Sequence, residues 1–232
     1  PEGDTFSLPD GTVIPCRQRE LHASESHTAP AQYQPQWLST TASSIARLPL
    51  RLSPSALLQD ENARVSEVIE LGDRLEITGE YDPGELGSAL HAVIAAAISG
   101  QQATARILRD HGMEKTLSTE MADACASRLL NTIEQRFHPV AMHAEYPVYY
   151  TNAHGQLISG WIDLLLQTSD GFVLIDHKAS PRSRSDWEEI ALGYSGQLQA
   201  YAQGIVSATG RPVVSQWIHF GVTGGLVGID LA

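Results

Sequence analysis

Hydrophobic spacing divides the chain into a helical half and a strand-rich half. Residues 85–99 are apolar nearly all round and are stopped by Gly100, which predicts a buried helix. Residues 101–111 form a shorter helical segment. Ser118 is placed to cap a longer helix to about Arg136, with Met121, Cys125, Leu129 and Ile133 recurring every four residues. Ahead of these, Ser53-Pro54 starts a short helix reaching about Asp60, with Pro54 at the first helical position. Asp82-Pro83-Gly84 reads as a turn.

The period changes after residue 143. Residues 144–151, 156–167 and 172–178 are β-rich runs, separated by the turn sequences Asn152-Ala153-His154-Gly155 and Ser169-Asp170-Gly171. They predict a three-stranded antiparallel meander. A helix over 187–208, closed by Gly210, comes next. A final hairpin pairs 213–222 with 226–231 around Thr223-Gly224-Gly225. The fold class is therefore α/β: a central mixed sheet, meander plus C-terminal strands, flanked by helices. Residues 1–50 lack periodicity and are rich in Ser, Thr, Gln and Pro. They read as an arm or linker with a turn at Asp10-Gly11 and an anchor at Trp37, ahead of one domain over 51–232.

Composition narrows the functions. The 42% apolar and 18% charged residues describe a globular chain. With 15 Lys and Arg against 27 Asp and Glu, net −12, it is not a polybasic nucleic-acid binder held by total charge. Two cysteines, Cys16 and Cys125, allow no disulfide framework and no four-cysteine metal site, so a reducing, intracellular setting is expected. No apolar run approaches a membrane span, and no signal peptide is expected. The chain begins at Pro1 rather than at a methionine, which suggests a piece of something longer.

Three ionisable residues stand on the central hairpin. Asp163 interrupts the apolar run Gly160-Trp161-Ile162-Asp163-Leu164-Leu165-Leu166, where an unpaired charge would be costly. Asp176 and Lys178 lie two apart in Val173-Leu174-Ile175-Asp176-His177-Lys178 and so share a face. If Ser169 and Asp170 centre the turn, Asp163 lies opposite Asp176; if Asp170 and Gly171 do, it lies opposite Lys178. Either register gathers all three side chains. Two carboxylates so close need a cation between them, and oxygen ligands on one face suit Mg²⁺. The plain alternative is a structural Asp–Lys ion pair.

Asp163, followed thirteen positions later by Asp176-His177-Lys178 across a hairpin, resembles the PD-(D/E)xK nuclease signature. The Gly160-x-x-Asp163 version is similar to the RecB type. Gln197-Leu198-Gln199-Ala200-Tyr201 matches that type's Gln-x-x-x-Tyr helix, and Gly87-Ser88-Ala89-Leu90-His91 its Gly-x-x-x-His helix. The resemblance runs from about Leu52 to the C-terminus and is closest to the nuclease domains that end bacterial helicase–nucleases of the AddA kind, in the UvrD/Rep class. It implies a restriction-endonuclease-like core. It also implies metal-dependent hydrolysis of DNA, exonucleolytic on single strands, in double-strand break repair and recombination in the bacterial cytoplasm. Helicase domains of the same chain, and a second helicase or nuclease subunit, are the implied partners. A stand-alone exonuclease and a non-catalytic docking module are the alternatives.

By this resemblance His91, Asp163, Asp176 and the carbonyl of His177 bind Mg²⁺, with Mn²⁺ as a possible substitute. Lys178 contacts the attacking water and the scissile phosphate. Gln197 and Tyr201 support the site from one helix face, Gln197 near the lysine and Tyr201 near the DNA backbone; Tyr194 is a weaker candidate for that face. Water attacks in line and leaves a 5′-phosphate. Glu145 is an auxiliary acidic candidate, placed opposite Ile162 or Asp163. Arg182 and Arg184, in the polar loop after the catalytic strand, are the local candidates for phosphate contacts. His143, His154 and His219 are expected to be structural or exposed.

Overall fold

The structure, a computed structural model, describes residues 4–17 and 49–231. The backbone divides into two compact units, Pro1–Arg47 and Leu48–Ala232. Trp37 lies outside the described residues. In the first unit, the segment expected to be irregular contains an antiparallel pair, β1 (Thr5–Ser7) with β2 (Val13–Pro15). Its turn is closed by Asp10, whose Oδ1 accepts from the Thr12 N–H at 2.9 Å.

The second unit is built on a seven-stranded sheet. Its strands are β3 (Arg51–Leu52), β4 (Arg64–Glu70), β5 (Ala141–Thr151), β6 (Leu157–Gln167), β7 (Phe172–Lys178), β8 (Val213–Phe220) and β9 (Gly225–Asp230). The order is β3-β6-β7-β8-β9-β4, with β5 on the other edge of β6. The meander β5–β6–β7 is antiparallel as expected, and so is the β8–β9 hairpin. The pairs β3–β6 and β7–β8 are parallel, which makes the sheet mixed.

Helices cover both faces. On one side lie α1 (Pro83–Ile98), α2 (Thr104–Asp110) and α3 (Thr119–Phe137). There Leu86, Leu90, Ile94, Leu129 and Ile133 pack with Leu164, Leu166, Val173 and Ile175 of the sheet. On the other lie α4 (Trp187–Gly193) and α5 (Ser195–Thr209), where Leu198 meets Ile218 and Phe220, and Ile205 meets Leu165 and Leu174. Adjacent residues of β7, Ile175 and Leu174, thus serve opposite layers, which is why the central strands are apolar throughout. Each fully buried leucine or isoleucine contributes roughly 1.5–3 kcal/mol. Among the described residues no helix is long and apolar enough to cross a membrane.

Several elements differ from the sequence pattern. The Ser53-Pro54 helix is only a 3₁₀ turn, Pro54–Ala56, because the Ser53 hydroxyl bonds Ser55 Oγ at 2.8 Å and caps nothing. Asp82-Pro83-Gly84 is not a separate turn but the start of α1: Asp82 Oδ1 accepts from Gly84 N–H at 2.7 Å. α1 is buried on one face and half-buried on the other. The helix over 187–208 is two helices, broken at Tyr194, where Tyr194 N–H bonds back only three residues to Ala191 O. β4 is a strand where the pattern after Asp60 reads as a turn region; its alternation is broken by a register shift between Val65 and Glu67.

Candidate active site

The site forms where β6 and β7 diverge. The ladder pairs Leu165 with Leu174 and Leu164 with Ile175. One step further sets Asp163 level with Asp176, which selects the register centred on Ser169 and Asp170. There the regular pairing ends, and Asp163 Oδ2 accepts from the His177 N–H at 2.6 Å. On the other edge of β6, Ala144 pairs with Leu164 and Tyr146 with Ile162. Glu145 is therefore level with Asp163, the second of the two positions open to it. Its φ of +50° departs from the strand around it, a cost of about 1–3 kcal/mol that the neighbouring pairs hold in place.

Helix α1 supplies the third wall. His91 Nε2 lies 3.1 Å from the carbonyl oxygen of His177. A carbonyl only accepts, so Nε2 carries the proton and Nδ1 presents its lone pair. That lone pair lies 3.7 Å from Asp163 Oδ1 and 4.0 Å from Glu145 Oε1. The three ligand atoms lie within 4.8 Å of one another. Burial first, then the charge of Asp176, pushes the Asp163 carboxyl up to about 8, so without a cation this carboxyl tends to keep its proton. Burial pushes His91 down, favouring the neutral ring that a metal needs. Two atoms each about 2.1 Å from one ion are at most about 4.2 Å apart. The two histidine–carboxylate separations satisfy this, and the carboxylate oxygens are the ligands a hard divalent cation takes. The donor set fits a divalent cation.

Asp176 has a different task in this structure. Gln197 Nε2 donates to its Oδ1 at 2.6 Å, and Lys178 Nζ sits 2.7 Å from its Oδ2. Asp176 is only 2% exposed, so this pairing is what makes a charge tolerable there. Burial raises its pKa while Lys178 pulls it down. For Lys178 burial acts to lower the pKa, but Asp176 outweighs it and keeps the ammonium charged. The Lys178 ammonium also lies 4.2 Å from the centre of the Tyr194 ring, so the break between α4 and α5 brings that weaker candidate into the site.

α5 is pressed close to the sheet. A Cβ at Gly160 would sit 3.0 Å from Pro54 Cγ and 3.2 Å from Tyr201 Cε1, so the glycine ahead of Asp163 lets both close over β6. Tyr201 Oη is 3.5 Å from Gln197 Nε2, which puts it one step behind Asp176.

The residue types and their order now compare with known proteins. Residues 51–223 match the family model of the PD-(D/E)XK nuclease superfamily. The chain belongs to this superfamily. It is also similar to an ATP-dependent helicase/nuclease subunit of Carboxydothermus hydrogenoformans, 29% identical over 202 residues, which is 76% of this chain and 17% of that protein. The protein of the same description from Pelotomaculum thermopropionicum is 38% identical over 63 residues (27% of this chain, 5% of the relative). That of Levilactobacillus brevis is 32% identical over 77 residues (32% and 6%). The chain thus spans less than a fifth of the length of these relatives.

Other residues singled out in this nuclease chain fall outside the cluster. Arg184 forms an exposed ion pair with Glu70 of β4. Arg182 is exposed, and its backbone N–H donates to Ser180 Oγ at 3.3 Å. His143 lies beside Tyr146 with ring centres 5.7 Å apart, and His154 sits in the β5–β6 turn. His219 is structural, as expected, but it backs the site: its Nδ1 is 3.2 Å from His177 Nδ1, and burial drives it down to about 3. A neutral pair sharing one proton fits that spacing. Ser195 had no signal in the sequence; its Oγ accepts from the Asp60 N–H at 2.8 Å and pins the start of α5.

Proposed function

We propose that this chain is the nuclease portion of a bacterial helicase–nuclease, hydrolysing single-stranded DNA with Mg²⁺ in double-strand break repair. The observation that carries the reading is the meeting of His91 Nδ1, Asp163 and Glu145 within 4.8 Å of one another, one strand away from the Asp176–Lys178 pair. The names of the relatives support the helicase part, and the superfamily supports phosphodiester chemistry. The domain begins at about residue 51, after an arm, and the protein works in the cytoplasm with helicase domains of the same polypeptide and a second subunit.

His91 Nδ1, Asp163 and Glu145 would hold the metal, with Asp176 joining them when DNA is bound; the carbonyl of His177, taken up by the His91 Nε2–H on the far side of the ring, positions His91 and is not a ligand in this arrangement. A bound divalent cation supplies Lewis-acid polarisation of the phosphate and a more acidic water. Lys178, held charged by Asp176, orients the water and neutralises charge building on the phosphoryl oxygens. The new bond from the water oxygen to phosphorus forms as the bond to the 3′-oxygen breaks, and the water gives up one proton to solvent. One fragment then ends in a 5′-phosphate and the other in a 3′-hydroxyl, protonated from solvent. Gln197 fixes Asp176; Tyr201, buried behind it, supports Gln197 and does not reach the DNA backbone expected for it; and Arg182 takes an outer phosphate. Arg184 does so only after leaving Glu70.

A Mg²⁺ titration of labelled single-stranded DNA tests this, with Asp163→Ala beside wild type and both checked for folding by circular dichroism. Metal-dependent cleavage that disappears in the variant is expected. Equal cleavage by a folded Asp163→Ala chain refutes the site.

A further inference from the structure

The sheet face that carries Asp163 continues past the metal cluster, and among the described residues no helix lies over it. On β6, Asp163, Trp161 and Ser159 alternate onto one face; Ile162, between them, packs on the α5 side with Tyr201. Across the ladder Pro147 stands opposite Trp161, and Tyr149 opposite Ser159. Directly opposed residues of antiparallel strands share a face. Trp161 is 59% exposed and Tyr149 73%, unusual for two large aromatics in adjoining strands. Between them lies a groove of about 430 Å³, floored by Ser159 and Gly160, with Pro147 and Ser53 at its sides and no charged side chain in its lining.

We propose that Trp161 and Tyr149 form a stacking platform for the bases of the single-stranded DNA entering the site. This rests on the nuclease reading above. Two residues of strand cover about 7 Å, so Trp161 is within a nucleotide's reach of Asp163, and Tyr149 lies one such step beyond. The uncharged lining favours base faces over phosphates, and a chain of net −12 has little general attraction for DNA. Aromatic stacking adds affinity that net charge does not supply, and it is indifferent to base identity. The platform is continuous with the catalytic strand, which makes the polynucleotide being cut its occupant.

The test measures binding of labelled oligothymidylate to the whole chain, in EDTA, by fluorescence anisotropy. Trp161→Ala weakens binding about tenfold or more, Trp161→Phe retains most of it, and Tyr149→Ala loses less than Trp161→Ala. A base-free sugar placed at successive positions marks where the platform reads: it costs wild type a similar factor at one or two positions and costs Trp161→Ala nothing further there. Unchanged affinity in Trp161→Ala, or the same base-free penalty in both chains, overturns the proposal, as does absence of binding by wild type. A melting temperature lowered by several degrees in Trp161→Ala would mean that protein covers the ring, and also overturns it. Cleavage read separately with Mg²⁺, wild type against Asp163→Ala, distinguishes the two failures. Trp161-dependent binding without cleavage removes the nuclease reading alone; cleavage with Trp161-independent binding removes the platform alone.

Discussion

Replacing Gln197 by leucine removes the amide that donates to Asp176 while keeping a side chain of similar size. The acceptor is a carboxylate at 2% exposure, bonded at 2.6 Å. A hydrogen bond to a charged group contributes about 1.5–3 kcal/mol, and the oxygen left behind has no water to replace it. Added apolar burial offsets about 1 kcal/mol of this at most. The net loss is then about 0.5–3 kcal/mol, or about 1–12 °C in melting temperature for a unit of this size. Urea unfolding at pH 7 reads it as a lower midpoint with unchanged slope. The decisive comparison is a cycle with Asp176→Asn. Once the carboxylate is neutral, Gln197→Leu costs less, and the coupling is about 1 kcal/mol. A coupling below about 0.3 kcal/mol would mean that Gln197 is ordinary core packing and that Lys178 alone stabilises the charge.

Three further outcomes are expected. A Cβ at Gly196 would overlap the carbonyl oxygen of Leu58, whereas one at Gly193 meets nothing within 4 Å. Gly196→Ala therefore lowers the unfolding midpoint strongly, by about 2 kcal/mol or more, and Gly193→Ala leaves it unchanged or raises it; equal effects would refute the close approach. Cys125 is buried, its thiol pushed up to about 11, while Cys16 is partly exposed. A colorimetric thiol reagent at pH 8 should thus count one fast thiol in the native chain and two in denaturant; two fast native thiols would contradict the burial. Asp163 at about 8 lies far above an ordinary carboxyl near 3.9. Between those values the folded chain holds a proton that the unfolded chain has released, so metal-free stability falls as pH rises through that window. Mg²⁺ displaces the same proton, and the rise in melting temperature it produces is larger at pH 8.5 than at pH 6. A larger rise at pH 6 would refute this.

The sequence by itself determined what repeats over short distances. Asp163, Asp176 and Lys178 share a face because side chains alternate along a strand, whichever turn closes the hairpin. Gln197 and Tyr201 share a face because they stand one helical turn apart, and Ser118 caps α3 because its hydroxyl reaches the Met121 N–H at 3.2 Å. Whether Asp176 or Lys178 stands opposite Asp163 was open to two registers, and the turn geometry decided it. Tertiary structure alone decided the contacts that join distant segments. His91 meets the His177 carbonyl across 86 positions of chain, a spacing no local period can encode. The same holds for the break at Tyr194, where the continuous apolar pattern favours one helix. The approach of Gly196 to Leu58 and the bond from Asp60 to Ser195 turn the chain there, and the turn carries the Tyr194 ring to Lys178. Trp161 stands in an apolar run, and nothing local sets its exposure. It is exposed because the helices that cover Leu164 and Leu166 stop short of it, and how far a layer extends depends on packing across the whole sheet.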